Sequence, residues 1–284
     1  MTAVLDVNDR EKTAKRLLGS SSRNSYEPAV DLDWDAPDVP GVPHMPLHRV
    51  SLYGTALWDQ LSDEQQATLS KAEITSVARV GLWFEILLMR MLATHAYDQD
   101  PASQHTHYAL TEIGDETRHS VMFARYAERN GGIEYRPRPL VHRLGKLFSL
   151  LGPTGPSMWA GTLVAEELLD RLQREAMNDE SIAALPRMIN RIHVIEEARH
   201  VRFAREELVR EMKRSHWGPK RWSHRVLAAA AAYVIARSLI SPKVYESVGI
   251  DAKAGRKAAL ANPHYQDTSG GWARRSSNSS VRSG

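Results

Sequence analysis

The sequence predicts an all-α protein. Apolar residues recur every three or four positions through most of residues 62–240, which is the spacing of amphipathic helices. No segment of useful length alternates β-branched and polar residues as a strand does. Proline and glycine clusters separate the helical stretches and mark their ends. Strands are therefore expected to be minor or absent.

The first two long helices have clear start and stop signals. Ser62 followed by Gln65 is a capping-box pattern, so a helix is predicted from here to about residue 97. A second helix is predicted from about residue 102 to residue 129, where the chain continues with Asn-Gly-Gly.

Three further long helices are predicted after a weaker helical stretch around residues 140–150. The third begins after a Gly-Pro pair and covers about residues 157–177. The fourth covers about residues 185–214 and ends before a Trp-Gly-Pro sequence, and the fifth covers about residues 220–240.

The chain is predicted to have three parts. Residues 1–45 are polar and rich in Asp and Pro, which resist helix, and are expected to form an extended N-terminal arm. Residues 46–245 are expected to form the helical bundle. Residues 246–284 are expected to be a mostly disordered tail, since Ser, Gly and Arg dominate from residue 266 onward.

Composition excludes several classes of protein. The chain has 284 residues, 42% of them hydrophobic, and a net charge of +3, which suits a soluble globular protein and only weakly supports nucleic-acid binding. The absence of cysteine excludes disulfides, thiolate metal sites and iron–sulfur clusters. The N-terminal sequence lacks the apolar core of a secretory signal. The longest apolar run, residues 226–240, is too short to span a bilayer, so a cytoplasmic protein without a membrane span is expected.

The strongest functional signal is a stripe of metal-binding side chains on the fourth predicted helix. His193, Glu197 and His200 lie at positions i, i+4 and i+7. Because a helix turns about 100° per residue, the residues four and seven positions on lie within roughly 40° of the first on the helix surface. This spacing predicts that the fourth helix presents three metal ligands on one face.

The second helix repeats this pattern. Glu116 and His119 have the spacing of Glu197 and His200, and Glu112 stands in the position of His193. Two helices that each offer Glu-x-x-His are the arrangement found in carboxylate-bridged di-iron four-helix bundles. The sequence therefore predicts a dinuclear metal site.

Such a site requires one more glutamate from each of the other two helices. Glu85 is predicted for the first helix because it stands among large apolar residues, where an unpaired carboxylate would be costly to bury. Glu73, in a more polar turn, is the weaker alternative. On the third helix the candidates are Glu166 and Glu167, which the sequence hardly separates; Glu166 is preferred because it shares a face with apolar residues.

Carboxylate and imidazole ligands without thiolate suit iron, with manganese possible, better than structural zinc. The charged neighbours of the predicted ligands are equally well explained as groups that orient the histidines or as ordinary inter-helix ion pairs. These neighbours are Asp115, Arg118, Glu196 and Arg199. Histidines near the helix ends are expected to be solvated. They are His95, His105 and His107.

At these residues the chain resembles the p-aminobenzoate N-oxygenase family, the arylamine N-oxygenases of the ferritin-like di-iron superfamily. The usual superfamily site has six protein ligands, and this family adds a histidine one turn before the second bridging glutamate, as His193 precedes Glu197. The resemblance covers most of residues 60–210 and excludes the two terminal segments. It implies a ferritin-like four-helix bundle with additional helices and seven metal ligands. These are Glu85, Glu116, His119, Glu166, His193, Glu197 and His200.

The resemblance also implies roles for these residues. Glu116 and Glu197 would bridge the two iron ions. Glu85 and His119 would complete the coordination of one iron, and the remaining glutamate and two histidines that of the other.

The activity implied by the resemblance is that of a di-iron monooxygenase. Such an enzyme takes up O₂ at two ferrous ions, forms a peroxo-diferric oxidant, and converts an aromatic amine to a hydroxylamine and finally a nitro product. The family also suggests a homodimer. Because the chain has neither cysteine nor a Gly-rich dinucleotide fingerprint, an external electron donor or reductase is expected.

Other functions remain open from the sequence. A di-iron desaturase or hydroxylase also uses Glu-x-x-His helices, but such sites normally lack a third histidine, so His193 favours the N-oxygenase. A ferritin-like ferroxidase or iron-storage protein and a metal-free helical scaffold are less favoured. The substrate is expected to be a small molecule, and the sequence does not identify it.

Overall fold

The computed structural model describes residues 10–132, 139–151, 155–214, 234 and 237–266. Within these ranges all regular structure is helical and no strand occurs, which confirms the predicted all-α class. The α-helices are α1 (Arg10–Ser21), α2 (Pro28–Asp31), α3 (Asp63–Tyr97), α4 (Gln104–Arg129), α5 (Pro139–Leu151), α6 (Pro156–Ala176), α7 (Ala184–Arg214) and α8 (Ala252–Ala261). Short 3₁₀ helices cover Leu47–Arg49 and Pro242–Val248.

Four long helices, α3, α4, α6 and α7, form a ferritin-like four-helix bundle, as predicted. The most extensive contacts join α3 to α4 and α6 to α7, while α4 also meets α7 and α3 meets α6. Two apolar clusters fill the bundle, one around Met122, Tyr126 and Ile192, and the other around Trp159 and Phe203. The polar residues described below lie along the helices between these two clusters.

Local signals account for the observed helix boundaries. At the start of α3, Ser62 Oγ accepts a hydrogen bond from the Gln65 backbone N–H at 3.3 Å, and Gln65 Oε1 accepts one from the Ser62 N–H at 3.0 Å. This confirms the predicted capping box. The other long helices begin and end within two residues of the predicted positions. The fifth predicted helix, about residues 220–240, lies almost entirely outside the described residues.

The prediction that the N-terminal arm is extended was wrong for part of the arm. Helix α1 packs its buried Ala14 and Leu17 against the bundle, chiefly against α4. The helix forms here because the first proline of the chain is Pro28, so nothing upstream breaks a helical hydrogen-bond ladder.

The prediction that the tail from residue 246 is mostly disordered was wrong as far as residue 266. Tyr245 is buried in the core, α8 follows it, and Asn262 Nδ2 donates hydrogen bonds to the carbonyls of Ser51 and Tyr53, both at 3.0 Å. The segment before residue 266 contains apolar residues that can be buried. The low-complexity composition begins only at about residue 266. Residues 267–284 lie outside the described residues.

No described helix is both long enough and apolar enough to cross a membrane.

Glu73, the weaker candidate for a metal ligand on α3, has a structural role instead. Its carboxylate is buried and accepts hydrogen bonds from the Ser51 backbone N–H at 2.9 Å and from the Ser51 hydroxyl at 2.5 Å. Ser51 Oγ lies 3.0 Å from the hydroxyl of Tyr245. Burial raises the pKa of Glu73 to about 7, against the lowering effect of the two Ser51 hydrogen bonds.

We expect Glu73 to make the protein less stable as the pH rises. Because its folded-state pKa is raised from 4.5 to about 7, the protonated form stabilises the fold at low pH, and this contribution is lost between those two values. Each pKa unit corresponds to about 1.4 kcal/mol, so the loss is roughly 3 kcal/mol. Glu73→Gln imitates the protonated form and should reduce the decline in unfolding free energy between pH 4.5 and pH 8 by that amount. Urea denaturation at both pH values measures it; parallel pH dependences in the two proteins would contradict the prediction.

Candidate metal centre

The structure brings all seven predicted ligand residues together in the middle of the bundle. Each is at most 5% exposed. Their donor atoms form overlapping groups of three in which the atoms lie within 4.8 Å of one another. These groups are Glu85 with His119 and His193, Glu116 with His119 and Glu197, and Glu166 with His193 and Glu197. A fourth group joins Glu112 to Glu116 and His200.

Glu116 and Glu197 occupy the centre of the cluster. His119 Nδ1 lies 3.0 Å from Glu116 Oε2 and 3.3 Å from Glu197 Oε1. His200 Nδ1 lies 2.9 Å from Glu116 Oε1 and 3.0 Å from Glu197 Oε1. Each carboxylate therefore lies between two imidazole nitrogens from opposite helices, a geometry in which it can bridge two metal ions.

His193 reaches the centre from one side of this pair. Its Nε2 atom lies 3.3 Å from Glu85 Oε1 and 3.8 Å from Glu197 Oε1. The roles implied by the resemblance assign His193, Glu166 and His200 to the same iron ion. In the structure His193 groups with Glu166 and also with Glu85, whereas His200 groups with glutamates of α4.

Each histidine has a hydrogen-bonding partner behind it. His119 Nε2 donates to Glu196 Oε2 at 2.8 Å, and His200 Nε2 lies 3.2 Å from Asp115 Oδ2. His193 Nδ1 donates to Gln173 Oε1 at 3.0 Å. These contacts orient the rings and leave the opposite nitrogen of each ring facing the centre, as is typical of metal-bound histidine.

The sequence left open whether the charged neighbours of the ligands orient the histidines or form ion pairs between helices. Asp115 and Glu196 touch the histidines and also Arg199, at 3.3 and 3.6 Å, so each acid both orients a ring and forms an ion pair. Gln173 was not predicted. The available signal was its position seven residues after Glu166, on the same face of α6.

Charge in this cluster is poorly balanced without a cation. Burial, followed by repulsion from Glu116 and Glu197, raises the pKa of Glu85 well above its ordinary value. Burial and then Glu197 do the same to the pKa of Glu166. Burial lowers the pKa of His193 to about 4, so its imidazole is neutral at pH 7.

The central groups show the opposite behaviour. Burial acts to raise the pKa of Glu197, but His200 and His119 hold it well below its ordinary value. Burial acts to lower the pKa of His200, but Glu197 and Glu116 raise it well above its ordinary value. The carboxylates thus attract positive charge, which two metal ions would supply.

The buried oxygens provide a direct test of whether metal ions fit. Several carboxylate oxygens are buried and have no hydrogen-bond partner among the residues that the structure describes, a costly arrangement unless a cation faces them. They include Glu85 Oε2, Glu166 Oε1 and Glu197 Oε2. Carboxylate oxygens and imidazole nitrogens in a buried cluster fit two iron or manganese ions.

The structure separates Glu166 from its neighbour Glu167. Glu166 is 5% exposed and belongs to the cluster. The side chain of Glu167 is 50% exposed and pairs with Arg205 at 3.0 Å on the surface.

The expectation that the helix-end histidines are solvated was wrong for two of the three. His107 is exposed, but His105 is buried and His95 is half-buried, with their Nε2 atoms 2.7 Å apart. Arg10 of α1 donates hydrogen bonds to both rings and contacts Glu207 at 3.3 Å. The guanidinium fills the point where these three acceptors converge. The burial of His95 and His105 could not be predicted from the sequence, because it results from α1 covering this end of the bundle.

Comparison with known proteins agrees with this geometry. The family model described as p-aminobenzoate N-oxygenase AurF matches residues 7–281. The chain belongs to this family of di-iron oxygenases. The resemblance noted at the metal-binding residues is thereby confirmed, and it extends into both terminal segments.

Two proteins similar to this chain come from mycobacteria and are described as uncharacterised proteins. The protein from Mycobacterium tuberculosis and that from Mycobacterium bovis are each 30% identical to this chain over 219 residues. The matched region covers 74% of this chain and 64% of each relative. The chain therefore spans less than two thirds of the length of the curated relatives it matches, and these relatives do not define its reaction.

Proposed function

We propose that this protein is a di-iron, O₂-activating N-oxygenase that oxidises the nitrogen of an aromatic amine. The observation that carries the proposal is His193, which adds a third imidazole to the two Glu-x-x-His pairs and lies 3.3 Å from Glu85 inside the buried cluster. Family membership supports an oxygenase in general. The third histidine favours the N-oxygenase over a desaturase.

The proposed ligands of the two iron ions come from all four bundle helices. They are Glu85, Glu116, His119, Glu166, His193, Glu197 and His200. When bound, the two iron ions supply the electrons and the Lewis acidity that activate O₂. The chain contributes fixed ligand geometry and a site from which water is excluded.

Water exclusion has an identifiable basis in the packing. Phe123 lies against the His193 ring with the centroids 5.0 Å apart, and it belongs to the apolar cluster on one side of the centre. Trp159 and Phe203 form part of the apolar cluster on the other side. These two clusters would keep bulk water away from the centre between them.

Electrons are proposed to come from a separate donor or reductase. The chain has no cysteine for an iron–sulfur cluster, so the site itself would need reducing equivalents from outside. Repeated turnover of the purified protein with NADH and no second protein would contradict this part of the proposal.

The experiment that tests the proposed function combines metal analysis with oxygen reactivity. The protein is reconstituted anaerobically with Fe²⁺, and iron per chain is measured. The reduced protein is then mixed with O₂, with and without p-aminobenzoate as the probe amine. Two irons per chain, a new visible absorption band after mixing, and conversion of the amine to hydroxylamine or nitro product are expected. Mineralisation of many irons per chain would indicate storage instead, and failure to bind metal would overturn the proposal.

Glu166 and Glu167 form a matched pair for testing the ligand on α6. Glu166→Gln removes a proposed ligand from the cluster and should reduce iron affinity about tenfold or more at one position. Glu167→Gln removes a surface carboxylate that pairs with Arg205 and should leave affinity unchanged. Competition with a chromophoric chelator measures both. Equal affinities in the two variants would remove Glu166 from the ligand set.

A further inference from the structure

Glu112 is a buried carboxylate that the seven-ligand site does not use. It lies on α4, one turn before Glu116, and is 0% exposed. Neither of its carboxylate oxygens has a hydrogen-bond partner within the described part of the chain. One of these oxygens lies within 4.8 Å of donor atoms of Glu116 and His200.

Among the described residues, no side-chain cation forms an ion pair with Glu112. Its charged neighbours are His200 and Glu197 from α7 and Glu116 and Asp115 from its own helix. The nearby Arg199 directs its guanidinium to Asp115. A buried carboxylate without a partner is costly, and a metal ion at the centre would relieve that cost.

The pattern of the two central helices relates Glu112 to His193. Glu112 precedes Glu116 by four residues on α4, as His193 precedes Glu197 on α7. The contacts that orient the histidines also join these two helices. His119 of α4 contacts an acid of α7, and His200 of α7 contacts an acid of α4. Glu112 therefore occupies on α4 the position that His193 occupies on α7.

We propose that Glu112 is an eighth donor to the metal pair, on the side of the Glu116–His200 group. This inference rests on the proposed di-iron site. Without Glu112, the four carboxylates of that site match the charge of two divalent ions. A fifth carboxylate would offset part of the charge added when both ions become trivalent. Glu112 would therefore favour the oxidised state of the centre.

The experiment compares Glu112→Gln with the wild-type full chain, using Fe²⁺ alone as the probe. We expect the variant to bind iron about tenfold or more weakly at one position. We also expect a more positive midpoint potential in a potentiometric titration followed by electron paramagnetic resonance. Glu211→Gln is the control because Glu211 lies in the last turn of α7, is partly exposed and pairs with Arg214 at 3.3 Å. Unchanged iron affinity and potential in Glu112→Gln would overturn the proposal.

The outcomes distinguish this proposal from the proposed function. A wild-type protein that binds two irons while Glu112→Gln behaves identically would remove only the eighth donor. A wild-type protein that binds no iron would overturn both. If Glu112→Gln does not fold, as judged by circular dichroism, Glu112→Asp retains the charge with a shorter reach and should lower the affinity while changing the potential less.

Discussion

Replacing Glu197 with alanine is expected to abolish binding of the metal pair while leaving the helical bundle folded. Glu197 Oε1 lies 3.0 Å from His200, 3.3 Å from His119 and 3.8 Å from His193, so this carboxylate contacts every histidine of the cluster. Its removal takes away a proposed bridge and one negative charge, and we expect iron affinity to fall by more than about 100-fold. Iron per chain after reconstitution, with far-UV circular dichroism as the fold check, measures this.

The control for this variant lies on the same helix. Glu211→Ala removes a carboxylate that pairs with Arg214 at 3.3 Å, and it should retain two irons per chain. Retention of two tightly bound irons by Glu197→Ala would show that Glu197 does not bridge the metals.

Trp159→Ala is expected to cause the largest loss of stability among single substitutions away from the metal cluster. Trp159 of α6 is fully buried and meets Phe203 of α7 edge-on at 5.6 Å and His95 of α3 at 5.0 Å. Truncation removes contacts between three bundle helices and leaves a cavity, so the free energy of unfolding should fall by about 3–5 kcal/mol. Urea denaturation of the metal-free protein measures it.

Trp159→Phe is the matched control because it keeps an aromatic ring in the same place. It should lose markedly less stability than the alanine variant. A loss below about 1 kcal/mol for Trp159→Ala would show that this cluster repacks and does not hold the helices together.

The sequence predicted the bundle helices well because their boundaries depend on local chemistry. Ser62 and Gln65 cap α3 through contacts three residues apart, and glycine or proline follows or precedes the other helices. These interactions do not require knowledge of the tertiary fold. Helix α1 and the segment up to residue 266 were missed because their order depends on packing against the bundle.

Parts of the site were equally difficult to predict because they depend on contacts between helices. Several of these contacts join residues far apart in the chain. They are the contact of Gln173 with His193, that of Arg10 with His95 and His105, and those between the central histidines and the acids of the opposite helix. Helical spacing predicts which residues share a face of one helix. It does not predict which face of another helix packs against them.

The sequence by itself determined the donor types and their arrangement on α4 and α7, because residues four and seven apart share a face of any helix. It favoured Glu85 over Glu73 and hardly separated Glu166 from Glu167. The tertiary structure placed Glu85 and Glu166 in the central cluster, Glu73 against Ser51, and Glu167 at the surface. It also brought Glu112 to the centre with no hydrogen-bond partner among the described residues. Those placements follow from how four helices pack around one polar layer, and helical periodicity alone does not specify that packing.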